Sequence, residues 1–486
     1  MMMMMVSGAF SGIPEPHGVF IHPLLALVLS LLYQVTNLIP WYPLAWFICL
    51  LMAYAAWVEM VCRKIKSTAN QILFVLALMS FLLQSLFYLQ FTVVGGILAF
   101  TGFGLLLLQF EEKRLSTCWE IYGCLLCLLS LMVRKESFFL FTVGFGLLFL
   151  IKYGWAKGGE VLRRRKWLVV GVVLLLLFTP FYEKLNGYES YVTFNTARSK
   201  VLDHPVLRYQ PTDAEVSPDL YYAQNWYFRN NPAVTVATFY NWKAQLDKGL
   251  FEINHIQQSI NFYWLEMNNN KYISFLGLLF LSMLILGGGR KRAKLLFVCA
   301  WLMVLLLLNH FYLVHARVQT LIFLMLLGAA FFVFENRQPI KDPFLIILLG
   351  LFVLAVVVHV PNIKKGMEAR RSTIESYREL EDLVPQSEVL FLDWRSWNVK
   401  HLNPKKIKEH DNRLLSLGWQ TYHPADYRVF QQRGFERLQD IQSFYYLRSV
   451  EEEEPLLPGY MNYLQDELYT PTVIARNHLF ELLYYK

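Results

Sequence analysis

Two short turns between long apolar stretches carry the basic side chains best suited to chemistry. The first is the Arg134-Lys135-Glu136 turn, which follows LLSLMV and precedes SFFLF. A charge kept beside the membrane core costs about 2.5–3.5 kcal/mol on insertion scales, so such a residue is a candidate for function. Arginine binds phosphate through two parallel hydrogen bonds and lysine binds it as a point charge, so this turn fits a lipid phosphate. The alternative is that both cations only reach toward lipid headgroups.

The second turn covers residues 309–317 and contains His310, His315 and Arg317. The two histidines are five residues apart, a spacing that does not direct both at one metal ion on a helix. Arg317 is a candidate second contact for phosphate or sugar, with His315 beside it. Anchoring at the membrane interface is the alternative for Arg317.

A third group of polar residues lies in the long segment after residue 182. Tyr191, Asn195 and Arg198 would share one face of a helix, and Asp203 follows shortly after them. These side chains could form hydrogen bonds with sugar hydroxyls, while the aromatic residues at 221–227 offer flat faces for pyranose rings. The alternative is a folded cap that packs on a helix bundle.

The composition is that of a membrane protein. Of the 486 residues, 55% are hydrophobic and 17% are charged, with a mean hydropathy of +0.34. A soluble domain has about 25% charged residues. The formal net charge of +8 comes from basic residues in short loops, so it indicates membrane orientation rather than nucleic-acid binding. The six cysteines lie in or beside apolar stretches and predict neither a disulfide framework nor a zinc site.

Apolar stretches set the predicted fold, an all-α polytopic membrane bundle with a small extracytoplasmic α/β domain at the C-terminus. The bundle would have about ten transmembrane helices, each crossing a bilayer core of about 30 Å, plus one outer-leaflet helix. The predicted spans are 41–62, 71–89, 91–110, 117–133, 137–152, 167–182, 272–287, 294–312, 317–334 and 343–360. The chain then divides into an outer loop with the outer-leaflet helix (1–40), transmembrane helices (41–182), a large outer loop (183–270), further transmembrane helices (271–360) and the C-terminal domain (361–486).

In the C-terminal segment, a helix is predicted over 369–383 and a strand over 388–392. Near the start, the segment 18–37 is predicted to lie on or dip into the outer leaflet. Its connection to the first span, residues 38–40, is very short, and Pro23 interrupts its first turn. An ordinary span is the alternative for this segment.

Basic residues alternate sharply between successive loops. One set of loops carries them at 63–66, 113–114, 157–166, 290–294 and 337–341. The opposite set holds only Arg134, Lys135 and Arg317. The positive-inside rule places the first set in the cytoplasm, so the large polar segments and the C-terminus are predicted to lie outside the cytoplasm of a multi-pass cell-membrane protein. The cytoplasmic loops are too short for a nucleotide-binding β-α-β unit, which needs about 30 residues.

The order of elements near the N-terminus resembles the GT-C superfamily of polytopic glycosyltransferases. It consists of an outer loop, the turn Gly12-Ile13-Pro14-Glu15-Pro16-His17, a helix over 23–33, and a second helix that ends in basic residues at 63–66. More narrowly, the chain is similar to multi-spanning proteins of Gram-positive surface-polysaccharide clusters over most of residues 6–360. The resemblance implies a first span followed by a catalytic acidic pair, which would stand upstream of Met1. We therefore expect a start codon placed too far downstream, the alternative being a copy that has lost its catalytic base.

The resemblance also implies roles for particular residues. The Arg134-Lys135-Glu136 turn would meet a lipid-phosphate donor, and the arrangement from Tyr191 to Asp203 is similar to a loop motif of the polysaccharide-cluster proteins. His17 and Glu15 stand closest to the family's catalytic loop. Glu15 is accordingly the candidate catalytic base, and His17 a candidate substrate contact.

The acids on the predicted outer side include Glu15, Glu136, Glu183 and Asp203. A general base must reach the hydroxyl of the acceptor within hydrogen-bond distance, which sequence alone does not rank. The sequence indicates no cofactor. It does not indicate a divalent cation either, and we leave a divalent cation open as an alternative.

The favoured function is a glycosyltransferase that moves a sugar from a polyprenyl-phosphate donor to a cell-envelope glycan or lipid acceptor on the outer membrane face. Its partners would be the lipid-linked sugar, membrane lipid and the acceptor, with no nucleic acid. The alternatives are a surface-polysaccharide polymerase and a lipid-linked glycan transporter. A transporter would need ionisable residues along a mid-membrane path and often internal repeats, neither of which is clear in this sequence.

Overall fold

The computed structural model describes residues 2–112, 117–209, 212–287, 291–333, 342–392, 413–450, 456–465 and 469–486. Its helices in the N-terminal half are α1 (Met2–Ser7), α2 (Pro23–Val35), α3 (Trp41–Lys64), α4 (Thr68–Phe87), α5 (Phe91–Glu111), α6 (Thr117–Val133), α7 (Lys135–Tyr153), α8 (Gly158–Arg164), α9 (Lys166–Leu185), α10 (Glu189–Leu202), α11 (Pro205–Tyr209) and α12 (Pro218–Gln224). The remaining helices are α13 (Val236–Gly249), α14 (Ile253–Asn269), α15 (Lys271–Leu286), α16 (Lys291–Tyr312), α17 (Ala316–Val333), α18 (Asp342–Glu381), α19 (Pro424–Gln432) and α20 (Leu456–Gln465).

Within the described ranges, eight helices are long and apolar enough to cross a membrane: α3, α4, α5, α7, α9, α16, α17 and α18. The pair α14 and α15 gives a ninth if it is taken as one broken span. Each of the ten stretches predicted from hydropathy overlaps a helix, and α6, with 17 residues, is shorter than the eight. The prediction of a polytopic all-α bundle with a small C-terminal α/β domain is confirmed.

Helix α2 has 13 residues, which at about 1.5 Å per residue make about 20 Å. That length is too short to cross a hydrocarbon core of about 30 Å. It begins after His22, whose Nδ1 accepts from the backbone N–H of Leu24, and Pro23 takes the first helical position. The predicted segment 18–37 therefore contains a short helix with extended or bent backbone on either side.

The last span differs from its predicted end. The sequence places the end of the span at residue 360 and a separate helix at 369–383, whereas α18 runs unbroken for 40 residues with Pro361 inside it. A proline inside a helix removes one backbone hydrogen bond and costs about 3 kcal/mol or more. Tyr377 and Leu380, in the last part of α18, are buried in a cluster with strand residues Leu447 and Leu482, and this packing holds the helix beyond the proline.

The C-terminal sheet has five strands: β1 (Leu390–Leu392), β2 (Leu414–Ser416), β3 (Phe444–Ser449), β4 (Pro471–Arg476) and β5 (Phe480–Tyr485). Their order is β2-β1-β3-β5-β4. Strand β1 is parallel to both of its neighbours, and β3, β5 and β4 are antiparallel to one another. The strand predicted at 388–392 is present as β1 and begins at Leu390.

Helix α5 is the centre of the bundle, because 89% of its most apolar stretch of 18 residues is buried. Close packing against α6 depends on small residues: a Cβ added at Gly102 would stand 2.8 Å from the Sγ of Cys127. Helix α5 also contacts α3, α7 and α17. Because small residues let helix backbones approach closely in lipid, α5 can pack on four neighbours at once.

Where the structure describes them, the two sets of loops lie at opposite ends of the bundle. The basic residues predicted at 113–114, 290 and 337–341 lie outside the described residues. At the basic end, Glu111 accepts from Lys64 at 2.8 Å and also pairs with Lys152, and Arg165 pairs with Glu120. At the other end, Arg134 lies over the ring of Phe20 in the N-terminal segment. Phe20 packs on Trp419 of the C-terminal domain, whose carbonyl accepts from the Tyr191 hydroxyl. For the described loops, the alternation of basic residues along the sequence is therefore a separation in space.

Candidate functional site

Four arginines from four separate elements act electrostatically on one carboxylate at the end of the bundle opposite the basic loops. Arg134 precedes α7, Arg198 lies in α10, Arg208 in α11, and Arg317 in the first turn of α17. Asp203 ends α10. All four guanidinium groups are close enough to Asp203 to lower the pKa of its carboxyl. These four residues are called the arginine cluster below.

The charge of Asp203 does not cancel the positive charge of the arginine cluster. Burial raises the pKa of the Asp203 carboxyl above its ordinary value, and this effect exceeds the opposing effect of the four arginines. The Asp203 side chain nevertheless reaches solvent, as do Arg208 and Arg317. Two carboxylates, Asp203 and the Glu136 that pairs with Arg134, against four guanidinium groups leave an accessible site with excess positive charge, which favours an anion.

Arg198 is the buried member of the cluster, with 2% of its surface exposed. Its guanidinium stacks over the Trp226 ring at 4.4 Å, and its Nη2 donates to the side chain of Asn195. The Nε and Nη1 atoms have no hydrogen-bond partner among the described residues. Burial lowers the pKa of this guanidinium to about 10. Because a buried donor without an acceptor is costly, these two N–H groups are suited to a ligand oxygen.

Arg134 is held by aromatic rings. Its guanidinium carbon lies 5.6 Å from the Phe20 ring centroid and 5.4 Å from that of Phe91, and its Nε is 2.8 Å from Glu136. Lys135 and Glu136 themselves are exposed. Of the three polar residues predicted in this turn, Arg134 alone is among the residues that act on Asp203.

Arg317 follows a strained turn. The chain between α16 and α17 passes through Leu313 with a φ of 50°, a left-handed conformation that costs a non-glycine residue about 1–3 kcal/mol. His315, in the same turn, packs on the Phe262 ring of α14 at 5.5 Å, and the Arg208 guanidinium lies 5.7 Å from that ring. Burial, with Arg208 and Arg317 nearby, lowers the pKa of His315 to about 4. His315 is therefore a neutral hydrogen-bonding group at neutral pH.

Tyr191 and Asn195 are placed in supporting positions. The Tyr191 hydroxyl donates to the backbone carbonyl of Trp419 at 2.8 Å, and its ring is buried. Asn195 orients Arg198. Both side chains thus hold the cap formed by α10 in place, with Tyr191 joining it to the C-terminal domain.

Glu15 and His17 lie in a buried junction beside Tyr191, whose ring packs edge-on against His17 at 6.3 Å. Glu15, with 1% exposure, accepts from the Tyr188 hydroxyl and pairs with Arg428. His17 contacts the Nε2 of His423 through its Nδ1 at 3.2 Å. Both carboxylate oxygens of Glu15 are therefore engaged in joining the N-terminal segment to the C-terminal domain. Its role as catalytic base stays a prediction, and this placement favours a structural role.

His17 also contacts Glu183 through its Nε2 at 3.4 Å and stacks on the Tyr188 ring at 4.3 Å. Sequence reasoning missed Arg208 in the cluster and Arg428 in the junction. The signal for Arg208 was its position five residues after Asp203 in the same polar segment. No group of three or more histidine, cysteine or acidic side chains placed to hold a metal ion occurs among the residues described.

The fold and the site together define a multi-pass membrane protein with a cluster of four arginines at one end of its helix bundle, which also carries a small α/β domain. No family model matches the chain, and no curated protein matches it. Two solved structures of ArnT from Cupriavidus metallidurans are similar in overall layout.

The first of these ArnT structures, bound to undecaprenyl phosphate, is 13% identical, with a TM-score of 0.46 over 99% of this chain and 91% of that one. The second, in the apo state, is 14% identical, with a TM-score of 0.43 over the same shares of the two chains. At these scores the likeness is one of general layout, and no residue role is transferred from ArnT to this chain.

Proposed function

We propose that this protein is a membrane glycosyltransferase that takes a sugar from a polyprenyl-phosphate donor and transfers it to a cell-envelope glycan or lipid acceptor. The observation that carries the proposal is the arginine cluster around Asp203. Four guanidinium groups at the end of a membrane bundle suit a phosphate whose lipid tail stays in the bilayer. Arg198 supports this most directly, because two of its buried N–H groups are without a partner.

The face of the membrane on which the donor would be used follows from the predicted orientation of the chain. The positive-inside rule puts the arginine cluster, the segment 183–270 and the C-terminus outside the cytoplasm. A donor used there must reach the site through the membrane, which a polyprenyl carrier does and a soluble nucleotide sugar does not. The same placement favours an acceptor that belongs to the cell envelope.

The transfer step needs one group to accept a proton. The bond between the anomeric carbon and the donor phosphate breaks, the acceptor hydroxyl oxygen bonds to that carbon, and the hydroxyl proton is taken by a general base. Asp203 fits this role better than Glu15 because it reaches solvent beside the cluster and burial raises its pKa. The lipid phosphate leaves with its charge stabilised by the arginines.

The test is a binding measurement with the full-length protein in lipid nanodiscs. We expect undecaprenyl phosphate to bind and undecaprenol, which lacks the phosphate, to bind far more weakly. Arg317→Ala should weaken binding by about ten- to a hundredfold, the effect of losing one charge-assisted hydrogen bond. The matched control is Arg371→Ala, because Arg371 is an exposed arginine of α18 paired only with the exposed Glu375 among the contacts described. Equal binding of the alcohol and the phosphate would refute the proposal.

A further inference from the structure

Helix α14 lies across the direction of the membrane spans. It meets α15 at an angle of 98° at Asn270, and α15 is an apolar helix of 16 residues with a mostly buried inner face. Because α15 runs along the bundle, a helix nearly perpendicular to it runs parallel to the membrane plane. Helix α14 is therefore oriented as interfacial helices are.

One side of α14 is apolar and exposed. Ile253, Ile256, Ile260 and Trp264 follow one another at spacings of three and four residues, with exposures of 75%, 39%, 56% and 65%. These four residues are called the apolar stripe. The stripe carries no charge, and the exposed polar side chains of Asn254 and Asn261 each follow a stripe residue by one position, about 100° further around the helix.

The apolar stripe is continuous with a surface that faces lipid. Just before α14, Phe251 packs against the rings of His310 and Phe311 at 6.0 and 6.3 Å, at the end of span α16. The neighbouring turns of α16 expose Leu306 and Leu307. A helix that lies flat at the end of an apolar span, with its own apolar side exposed, is placed at the boundary of headgroups and acyl chains.

The opposite side of α14 holds the turn that carries Arg317. The side chain of Asn309 donates to the Ser259 carbonyl at 2.7 Å, and the backbone N–H of Ala316 donates to Glu266 at 2.9 Å. The His255 Nε2 is also 3.1 Å from the His310 carbonyl. Two members of the arginine cluster thus depend on this helix, Arg317 through these bonds and Arg208 through Phe262.

We propose that the apolar stripe of α14 is seated in the lipid interface of the outer leaflet, and that this seating sets the depth of Arg208 and Arg317 relative to the lipid phosphates. The partner is the bilayer itself, because the stripe lacks charge, carries Trp264 and lies parallel to the membrane plane. The positioning half of the inference rests on the proposed function. The seating half does not.

The seating is tested by photocrosslinking with the full-length chain. A benzophenone amino acid at position 260 or at position 254 is irradiated in vesicles of phosphatidylethanolamine and phosphatidylglycerol, and adducts are identified by mass spectrometry. Lipid adducts are expected at 260, with several-fold fewer at 254, an exposed polar position about 120° away from Ile260 around the helix. Equal yields at the two positions, or crosslinks from 260 to a second copy or another protein, would overturn the seating.

The positioning is tested by binding. The double variant Ile256→Ser and Ile260→Ser should bind undecaprenyl phosphate about tenfold more weakly in nanodiscs, a change of about 1.4 kcal/mol. The control double variant Gln257→Ser and Asn261→Ser should bind as the unchanged protein does. Unchanged binding in the stripe variant would overturn the positioning. Lipid adducts at 260 in a protein that binds no undecaprenyl phosphate would instead refute the proposed function and leave the seating intact.

Discussion

The guanidinium of Arg198 lies over the ring of Trp226, with its central carbon 4.4 Å from the ring centroid, and Trp226 packs against the apolar cluster of the outer segment. Trp226 itself has a φ of 73°, a left-handed backbone that a bulky residue seldom adopts. Stacking orients the guanidinium plane before any ligand arrives. The preorganised cation is the feature of the site most sensitive to small changes.

Replacing Arg198 with lysine should weaken binding of undecaprenyl phosphate by about tenfold or more, although the charge is kept. Lysine has no planar group to stack on Trp226 and cannot present two parallel N–H groups. The affinity in nanodiscs is the measurement, and Arg371→Lys on the exposed face of α18 is the matched control. A lysine variant that binds as tightly as arginine would show that only the charge at this position matters.

Replacing Asp203 with asparagine should separate binding from transfer. The change removes the one carboxylate within reach of all four arginines, so undecaprenyl phosphate should bind at least as tightly as before. Transfer should fall by about 10²-fold or more if Asp203 accepts the acceptor proton. Equal rates of transfer in the asparagine variant and the unchanged protein, at saturating donor, would exclude Asp203 as the base.

The raised pKa of the Asp203 carboxyl predicts that donor binding depends on pH. Protonation of Asp203 adds to the excess positive charge, so affinity for an anion should increase as pH falls through the raised pKa of this carboxyl. A polyprenyl phosphodiester is the suitable probe, since it has no second proton to lose. The asparagine variant should show a flatter profile, and an unchanged slope would assign the dependence to another group.

The His315 imidazole predicts a loss of stability in acid. Its folded-state pKa is lowered to about 4 from 6.5, so between these values the unfolded chain binds more protons than the folded protein. The stability due to neutral His315 is present above pH 6.5 and is lost as pH falls toward 4. The thermal unfolding midpoint in detergent should therefore fall less for His315→Gln than for the unchanged protein over this range. Parallel profiles would contradict the prediction.

Glu15 and Arg428 should behave as a structural pair. Removing Arg428 leaves the buried Glu15 carboxylate uncompensated, a change that costs about 3–5 kcal/mol in buried pairs, whereas Arg428, with 37% of its side chain exposed, keeps contact with solvent when Glu15 is replaced. Glu15→Gln and Arg428→Gln should each lower the thermal midpoint, and the double variant should lose less than the sum of the two. If Glu15→Gln instead keeps full stability and abolishes transfer, Glu15 is the base that the family resemblance implies.

Local pattern was sufficient for much of the architecture. Hydropathy over windows of about 19 residues depends only on neighbouring side chains, so every predicted span overlaps a helix. The same local signal placed the end of the last span at 360 although α18 continues to Glu381. What holds α18 beyond Pro361 is a contact of Tyr377 and Leu380 with strands that come much later in the chain, and no local window contains it.

The site shows the same division. Residue type and the side of the membrane selected Arg134 and Arg317 from the sequence alone, because basic residues in the short outer turns are few. Arg198 and Asp203 were selected from a polar helix face and from the resemblance of their segment to a loop motif of the family. That Arg208 joins them, that Tyr191 turns to the C-terminal domain and that Glu15 is enclosed by Tyr188 and Arg428 follow only from the fold. Electrostatic grouping depends on distances between elements that are far apart in the chain, and those distances are set by helix packing, which the spacing of residues in a sequence does not contain.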